Sequence, residues 1–353
     1  MKRNDRFKLS GTKPGVVGTG LVALDVVYNE NQAEPIGRWA GGTCGNVLSI
    51  LSWLGWSAAP VARLKPGSEA AAVRKDLKRW NVNLDFVTEE EAGSTPIILQ
   101  YIRRNADGEV SHRFKMRCPV CGNRLPGFRP ITGAAVEEMA PRLPKADVFY
   151  FDRTSRGILD LAAHYYETGA VIFFEPSGVG EQRHFDEALE MAHVVKFSDD
   201  RIKASEVSLP DEYPSLYIET RGRGGLRFRC RFEKYRTRTW QDVAAFDLPN
   251  VQDAAGSGDW CAAGLIYSLT RGGVEAFKRQ RKSDVLSAIH LGQAMSAWNC
   301  RFEGARGGMY ATSIDAFSHE VADILDGELR DAPPQFEPLA VHEDFACAAC
   351  QGA

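Results

Sequence analysis

The sequence lacks any run approaching the ~18 uninterrupted apolar residues that a membrane-spanning helix requires, so no helical span is expected. It also lacks a secretory signal: the opening MKRNDRFKLSGTKPG is polar where such a signal carries its apolar segment, which sets the expectation of a cytoplasmic protein. Charge of one sign is missing too. With 43 Lys+Arg against 46 Asp+Glu the net charge is -3, and overall electrostatics nominate neither nucleic acid nor an anionic membrane as partner. A GxxxxGK[ST] phosphate loop is absent, which excludes P-loop kinases, and there is no internal repeat or low-complexity tract. Seven histidines show no metal-ligand spacing among themselves; His112, beside an expected hairpin, is read as structural. What remains is the composition of a globular protein: 353 residues, 44% hydrophobic, 25% charged and 10% aromatic, enough for one large α/β domain or two smaller ones. Eight cysteines without an export signal point to free thiols and metal ligation, not to a disulfide framework.

Along the chain, residues 1–14 form a polar leader, and Gly15 to Val27 reads as strand, glycine turn, strand. Val47, Leu48, Leu51 and Leu54 fall at helical spacing after a glycine-rich entry, and Gly55 marks the stop. TPIILQYIRR and EVSHRFKM flank NADG, in which Asp107-Gly108 signals a β-hairpin. From about residue 147, short β-rich runs (DVFYFD, AVIFFEP, HVVKFS, SLYIET) alternate with helical stretches such as RGILDLAAHYYETG and HFDEALEMAH. That is the pattern of βαβ units around a parallel sheet. Arg227, Arg229 and Arg231 alternate with Phe228, Cys230 and Phe232, which places the charges on the outer face of an antiparallel hairpin and turns the apolar groups inward, away from any nucleic acid. Residues 326–353, proline-containing and aperiodic, are expected to run over the surface as an extended tail.

The strongest chemical signal is Asp253-Ala254-Ala255-Gly256-Ser257-Gly258-Asp259, followed at once by the small and apolar run WCAAGLI. A small-residue loop opening a helix lets backbone N–H groups approach an anion, and the helix dipole adds roughly half a positive charge there. Asp259 falls in the first turn, where that dipole is expected to keep its carboxylate ionised and able to accept a hydroxyl proton in phosphoryl transfer. An ordinary N-cap by Ser257 or Asp259 is the plainer reading, but two glycines and two aspartates in seven residues exceed what a cap needs.

DAAGSGD resembles the DTxGAGD signature of the ribokinase-like (phosphofructokinase B) carbohydrate kinases. Gly41-Gly42-Thr43-Cys44-Gly45-Asn46 resembles that family's GGxxxN motif, and Gly18-Thr19-Gly20 with Asp25 resembles its GxGxxxxD opening. Thr220-Arg221-Gly222-Arg223-Gly224-Gly225 resembles its TxGxxG loop, and Phe302-Glu303-Gly304-Ala305 is similar to its late glycine-alanine turn. These run in the family's order from about residue 15 to 312. The resemblance implies a doubly wound, mostly parallel α/β sheet with helices on both faces, spanning residues 15–325, and a small β lid from about 26–40 and 96–130. It implies that Asp25, Gly41, Gly42 and Asn46 bind substrate hydroxyls, that Asp259 is the base, and that Gly256, Ser257 and Gly258 form the anion hole. Thr220, Gly222, Gly225, Asp253 and Gly304 are implied to hold ATP, with Mg²⁺ as its counter-ion. Three departures stand out. Ser257 replaces alanine; Ser198 and Arg201 occupy the positions of the family's NxxE motif, which organises Mg²⁺; and Glu175 stands where aspartate is usual. Either Asp199, Asp200, Glu175 or Glu206 takes over beside the metal, or ATP is held differently.

Gly18 to Ala23 also fits a GxGxxA dinucleotide fingerprint, but β-branched LDVVYN follows where that fingerprint needs a helix. The reading that results is an ATP-dependent kinase of a sugar or sugar derivative, with a nucleoside kinase and a catalytically silent ligand-binding protein as alternatives. The lid is the expected surface for a homodimer. Separately, Cys118-Pro119-Val120-Cys121-Gly122 forms a CxxCG knuckle, and Cys347 and Cys350 repeat the spacing near the end of the chain. Two such pairs make the four soft ligands of a structural Zn²⁺ site, within one chain or between two; redox pairing and unrelated thiols are the alternatives.

Overall fold

The computed structural model describes residues 7, 9, 11–29, 34–105, 110–203, 209–210, 214–248, 250–328 and 350. Its first half carries strands β1 (Gly15–Thr19), β2 (Ala23–Asn29), β3 (Gly37–Gly41), β4 (Ser57–Leu64), β5 (Val87–Glu89), β6 (Ile97–Arg104) and β7 (Val110–Lys115). Helices α1 (Thr43–Trp53) and α2 (Ser68–Arg79) flank β4. The second half alternates: α3 (Gly133–Met139), β8 (Val148–Phe151), α4 (Arg156–Glu167), β9 (Val171–Phe174), α5 (Gln182–Met191), β10 (Val194–Ser198) and β11 (Leu216–Thr220). Strands β12 (Leu226–Cys230) and β13 (Gln241–Val243) precede helices α6 (Ser257–Leu269), α7 (Gly273–Phe277), α8 (Lys282–Asn299), α9 (Gly307–Ala311) and α10 (Ile314–Asp326).

The strands form two sheets. Nine of them run in the order β13-β12-β11-β10-β9-β8-β1-β4-β5, parallel from β5 through β11 and antiparallel over β12 and β13. The chain starts at β1, builds outward through β4 and β5, then returns to build the other way from β8, so the topological switch lies between β1 and β8. In open α/β sheets the crevice beyond the carboxyl ends of the strands at that switch is where ligands bind. Both faces are covered, which explains the continuous apolar runs. Tyr150, Phe173 and Leu216 join α1, α2, α6, α8 and α10 on one side; Phe149, Phe151, Ile172 and Val195 join α4 and α5 on the other.

The smaller sheet, in the order β3-β2-β6-β7, is built from the segments expected to form the lid. Its β2 begins at Ala23, three residues before the boundary read from the sequence, because the glycine turn after β1 sends the chain straight into it. Strands β6 and β7 pair antiparallel as the hairpin signal predicts, while Asp107 and Gly108 themselves lie outside the described residues. So does the tail from residue 329 onward, Cys350 excepted, while Asp326 still belongs to α10. The arginine-rich β12 behaves as expected: Phe228, Cys230 and Phe232 are buried, Arg227 pairs with Glu219, and Arg229 lies over the rings of Tyr217 and Trp240. Among the described residues, no helix is long and apolar enough to cross a membrane.

Candidate active site

The carboxyl ends of the central strands gather Thr19, Asp152, Glu175, Ser198 and Thr220 along one edge of the sheet, and the N-terminus of α6 points into that edge. The loop before α6 turns at Gly256, whose φ of 74° is left-handed and whose missing side chain leaves room for the carbonyl of Ala305; a Cβ would lie 2.2 Å from that oxygen. Neither Ser257 nor any other side chain caps the helix, so the plainer N-cap reading does not hold. The amide of Ser257 donates to the carbonyl of Ala254 at 3.2 Å, which forms the loop into a tight turn. Lys196 and Glu175, a buried ion pair, lie beside the small-residue turn, 3.6 and 3.7 Å from where a Cβ on Gly258 would be.

Asp259 is buried one position further along. Its carboxylate accepts a 2.7 Å hydrogen bond from Asn46 Nδ2. The helix dipole does not hold it fully ionised as expected from the sequence. Burial, together with the negative charge of Glu175, pushes Asp259 up to about 7, against the opposing pull of Asn46, Lys196 and Arg201. That value is where a general base is most effective near neutral pH.

The second buried carboxylate is Asp25, on β2. Gly41, on β3 two residues beyond Trp39, the cross-strand partner of Asp25, makes space for it: a Cβ there would meet Asp25 Oδ2 at 1.9 Å. Burial pushes Asp25 up to about 6, partly offset by Arg306 and by the backbone N–H of Gly42. Asp25 Oδ1 is buried without a hydrogen-bond partner. It shares a small pocket with Trp39, Asn46, Arg306 and Tyr310.

Arg306 is the residue sequence reasoning missed. Only 2% of its surface is accessible, and it donates to Asn46 Oδ1 (3.0 Å), to Asp76 Oδ2 (2.7 Å) and to the carbonyl of Ala40. Its Nη1 is buried without a partner. Asn46, expected at the substrate hydroxyls, is used at both ends as a strut between Arg306 and Asp259. The available signal was the position of Arg306, a lone cation inside GARGG. Lys196 was similarly legible only as a charge within the otherwise apolar VVKFS strand; Tyr150 also donates to its partner Glu175 at 3.0 Å.

The carboxylate of Asp253, expected at the nucleotide, receives Gln100 on β6, the amide of Ala255 (2.9 Å) and the amide of Gly304 (3.0 Å), with His112 at 3.6 Å. It ties the lid, the anion loop and the late glycine turn together. Asn299 and Trp260 brace the same joint through the carbonyl of Ala305. Thr220, Gly222 and Gly225 sit at the carboxyl end of β11, where Gly222–Gly224 form a short helical turn beside the same edge. Of the acids expected near Mg²⁺, Glu175 is taken up by Lys196 and Tyr150, Asp199 and Asp200 follow β10 directly, and Glu206 lies outside the described residues. Of the four cysteines of the expected metal site, Cys118, Cys121 and Cys350 come together within one chain, whereas Cys347 lies outside the described residues.

This arrangement, a parallel sheet whose carboxyl edge meets a glycine-rich helix start under a β lid, is that of a sugar or nucleoside kinase. A relative from the archaeon Halopiger xanaduensis, an ATP-dependent ribose-1-phosphate kinase, is 30% identical over 288 residues, which span 80% of this chain and 88% of the relative. The chain belongs to the ribokinase-like (phosphofructokinase B) family of sugar and nucleoside kinases. No family model matches it. Among solved structures, a fructokinase with bound ATP from Xylella fastidiosa superposes with a TM-score of 0.65 at 18% identity, covering 90% of this chain and 99% of that one. A Burkholderia thailandensis nucleoside kinase in complex with inosine gives 0.61 at 16% identity, covering 88% and 98%. At these identities the two structures speak for the fold alone.

Proposed function

We propose that the protein transfers the γ-phosphoryl group of ATP to a hydroxyl of a ribose-type sugar phosphate, ribose 1-phosphate foremost, with Asp259 as general base. The observation that carries this reading is a buried pocket holding one unsatisfied acceptor, Asp25 Oδ1, and one unsatisfied cationic donor, Arg306 Nη1, joined to Asp259 through Asn46. Asp25 suits a sugar hydroxyl, and Arg306 suits an anionic oxygen, because a guanidinium recognises phosphate by charge-assisted hydrogen bonds. The substrate named for the Halopiger relative has both groups.

Catalysis in this reading is positioning plus electrostatics. Asp259 receives the hydroxyl proton as the oxygen attacks, and the α6 N-terminus with Lys196 meets the negative charge of the transferring phosphoryl. Gly256, Ser257 and Gly258 let the phosphate approach the backbone. The turn at Thr220 to Gly225 holds the nucleotide. The Mg²⁺ that accompanies ATP neutralises phosphate charge, and Asp199 and Asp200 are the acids suited to hold its waters. Closure of the lid over the sugar keeps water from competing as acceptor. We place the enzyme in the cytoplasm. Pairing of two copies through the lid rests on its edge strand β7, where Phe114 stands 44% exposed, and molar mass in solution tests it.

The test is ADP release with ATP and Mg²⁺ and, in turn, ribose 1-phosphate, ribose and inosine. The reading expects kcat/KM for ribose 1-phosphate to exceed that for ribose by about two orders of magnitude, the scale of leaving a buried charged donor unpaired. Faster turnover of inosine would make it a nucleoside kinase, and binding of all three without turnover would make it a silent binding protein.

A further inference from the structure

We propose that Cys118, Cys121 and Cys350 hold a structural Zn²⁺ that clasps the C-terminal tail to the base of the lid. The three sulfurs come from places 232 residues apart in the chain, yet all lie within 4.8 Å of one another. Sγ of Cys118 and Sγ of Cys350 are 3.8 Å apart. Four sulfurs placed tetrahedrally at ~2.3 Å from zinc are separated along each edge by about 3.8 Å. A disulfide would need about 2.05 Å.

The turn that carries the first pair is built for a metal. Cys118 N–H donates to the carbonyl of Asn123 at 2.9 Å, Gly122 N–H donates to the carbonyl of Cys118 at 3.0 Å, and Arg117 and Arg124 pair across the mouth in an antiparallel bridge. Gly122 takes a left-handed φ of 74°, which closes the turn immediately after the second sulfur. The turn therefore aims two sulfurs at one point. Val120, between the two cysteines, is 75% exposed and Cys121 is exposed, so the tip of the knuckle stands in solvent while Cys118 is buried at its root.

The fourth ligand is assigned by the repeated CxxC spacing to Cys347, which lies outside the described residues. Binding exchanges the thiol protons for the metal, with no redox change. Four thiolates leave no open position, so the ion takes no part in phosphoryl transfer. Its effect is mechanical. The knuckle follows β7 directly, Leu125 N–H donates to Met116 O at 3.0 Å, and Ile97 N–H, at the start of β6, donates to Pro126 O at 3.2 Å. The clasp thus grips both strands of the outer lid hairpin.

Zinc content is measured on the full chain, purified without added metal and without substrate, so that the result stands apart from the kinase reading. Elemental analysis should give near one zinc per chain, with X-ray absorption showing sulfur neighbours only. Cys350→Ser and Cys347→Ser should each lower zinc to below about a tenth per chain and lower the melting temperature. Because Cys118 is buried, Cys121→Ser, at an exposed position, provides the knuckle-side variant. Metal-free protein with four freely titrating thiols, or a mass two daltons lower that marks a disulfide, overturns the site; so does full zinc occupancy in the Cys350→Ser and Cys121→Ser variants.

Discussion

Replacing Asp259 by Asn separates chemistry from stability, and the structure sets the size of both effects. The substitution keeps volume and leaves Asn46 in place, but removes the carboxylate proposed to take the hydroxyl proton. Turnover should fall by roughly two orders of magnitude or more, the scale of losing a general base. In the wild-type protein, a value of about 7 for Asp259 means that log kcat/KM should rise with unit slope below neutrality, changing about tenfold between pH 8 and pH 6. Glu175→Gln should move that midpoint to lower pH, since the Glu175 carboxylate raises Asp259. Stability moves the other way. Raising the folded-state value from 3.8 to about 7 corresponds to about 4 kcal/mol against the ionised form. The favourable contribution of the protonated carboxyl is complete below pH ~3.8 and is lost as pH rises through about 7. Above neutrality the wild-type fold therefore carries a buried charge that the variant does not. Melting scans at pH 8 should show Asp259→Asn several degrees more stable, with the gap closing as pH falls towards 4. Turnover within tenfold of wild type would refute the base assignment, and a stability difference independent of pH would refute the buried-charge argument.

Asp25→Ala should raise the sugar KM by at least tenfold while leaving the KM for ATP within about threefold, because it strands the hydroxyl that the carboxylate would accept; equal losses for both substrates would count against it. Gly41→Ala forces a methyl group against that carboxylate, 1.9 Å from Oδ2 in the unrelaxed backbone, and should reproduce the KM defect in steady-state kinetics without deleting any polar group. Asp253→Ala leaves Gln100 and the amides of Ala255 and Gly304 without their acceptor, at about 1–3 kcal/mol for each group left unsatisfied. It should lower the urea midpoint far more than Thr220→Ala, and an unchanged midpoint would dissolve the joint described here.

The parts of this site that were legible in the sequence are those whose chemistry is local. A glycine-rich turn before a helix, a CxxCG knuckle and the alternation of β12 each act within a handful of residues, and each stands in the structure as read. Gly55, with a left-handed φ of 93°, ends α1 where the pattern says it should. What the sequence did not disclose is pairing across the fold. Arg306 meets Asn46 from 260 residues away, and nothing in GARGG says that the arginine turns inward. Asp253 opens the signature, and nothing in DAAGSGD says that its carboxylate also gathers groups 153 and 51 residues distant. The charge state of Asp259 was misjudged for the same reason. The helix dipole can be read from the sequence, whereas the burial and the Glu175 carboxylate that outweigh it cannot.

The long-range pairs also explain how the lid and the base can act as one unit. Asp25 and Gln100 both belong to the lid sheet, on β2 and β6, and these strands are hydrogen-bonded to each other over Leu24 to Asn29. Gln100 reaches Asp253, which holds the loop that opens α6; Asp25 faces Arg306, which holds Asn46, which in turn holds Asp259. The lid therefore meets the helix that carries the base along two routes. Both routes end at a polar group already satisfied by protein, except at the pocket, where Asp25 Oδ1 and Arg306 Nη1 have no partner. Leaving two such groups buried costs several kcal/mol, and a ligand that supplies a hydroxyl to one and an anionic oxygen to the other removes that cost. A ligand with the hydroxyl alone removes only part of it. Selectivity between a sugar and a sugar phosphate then follows from which buried group stays unpaired, the kind of discrimination that polar pockets achieve and apolar ones do not.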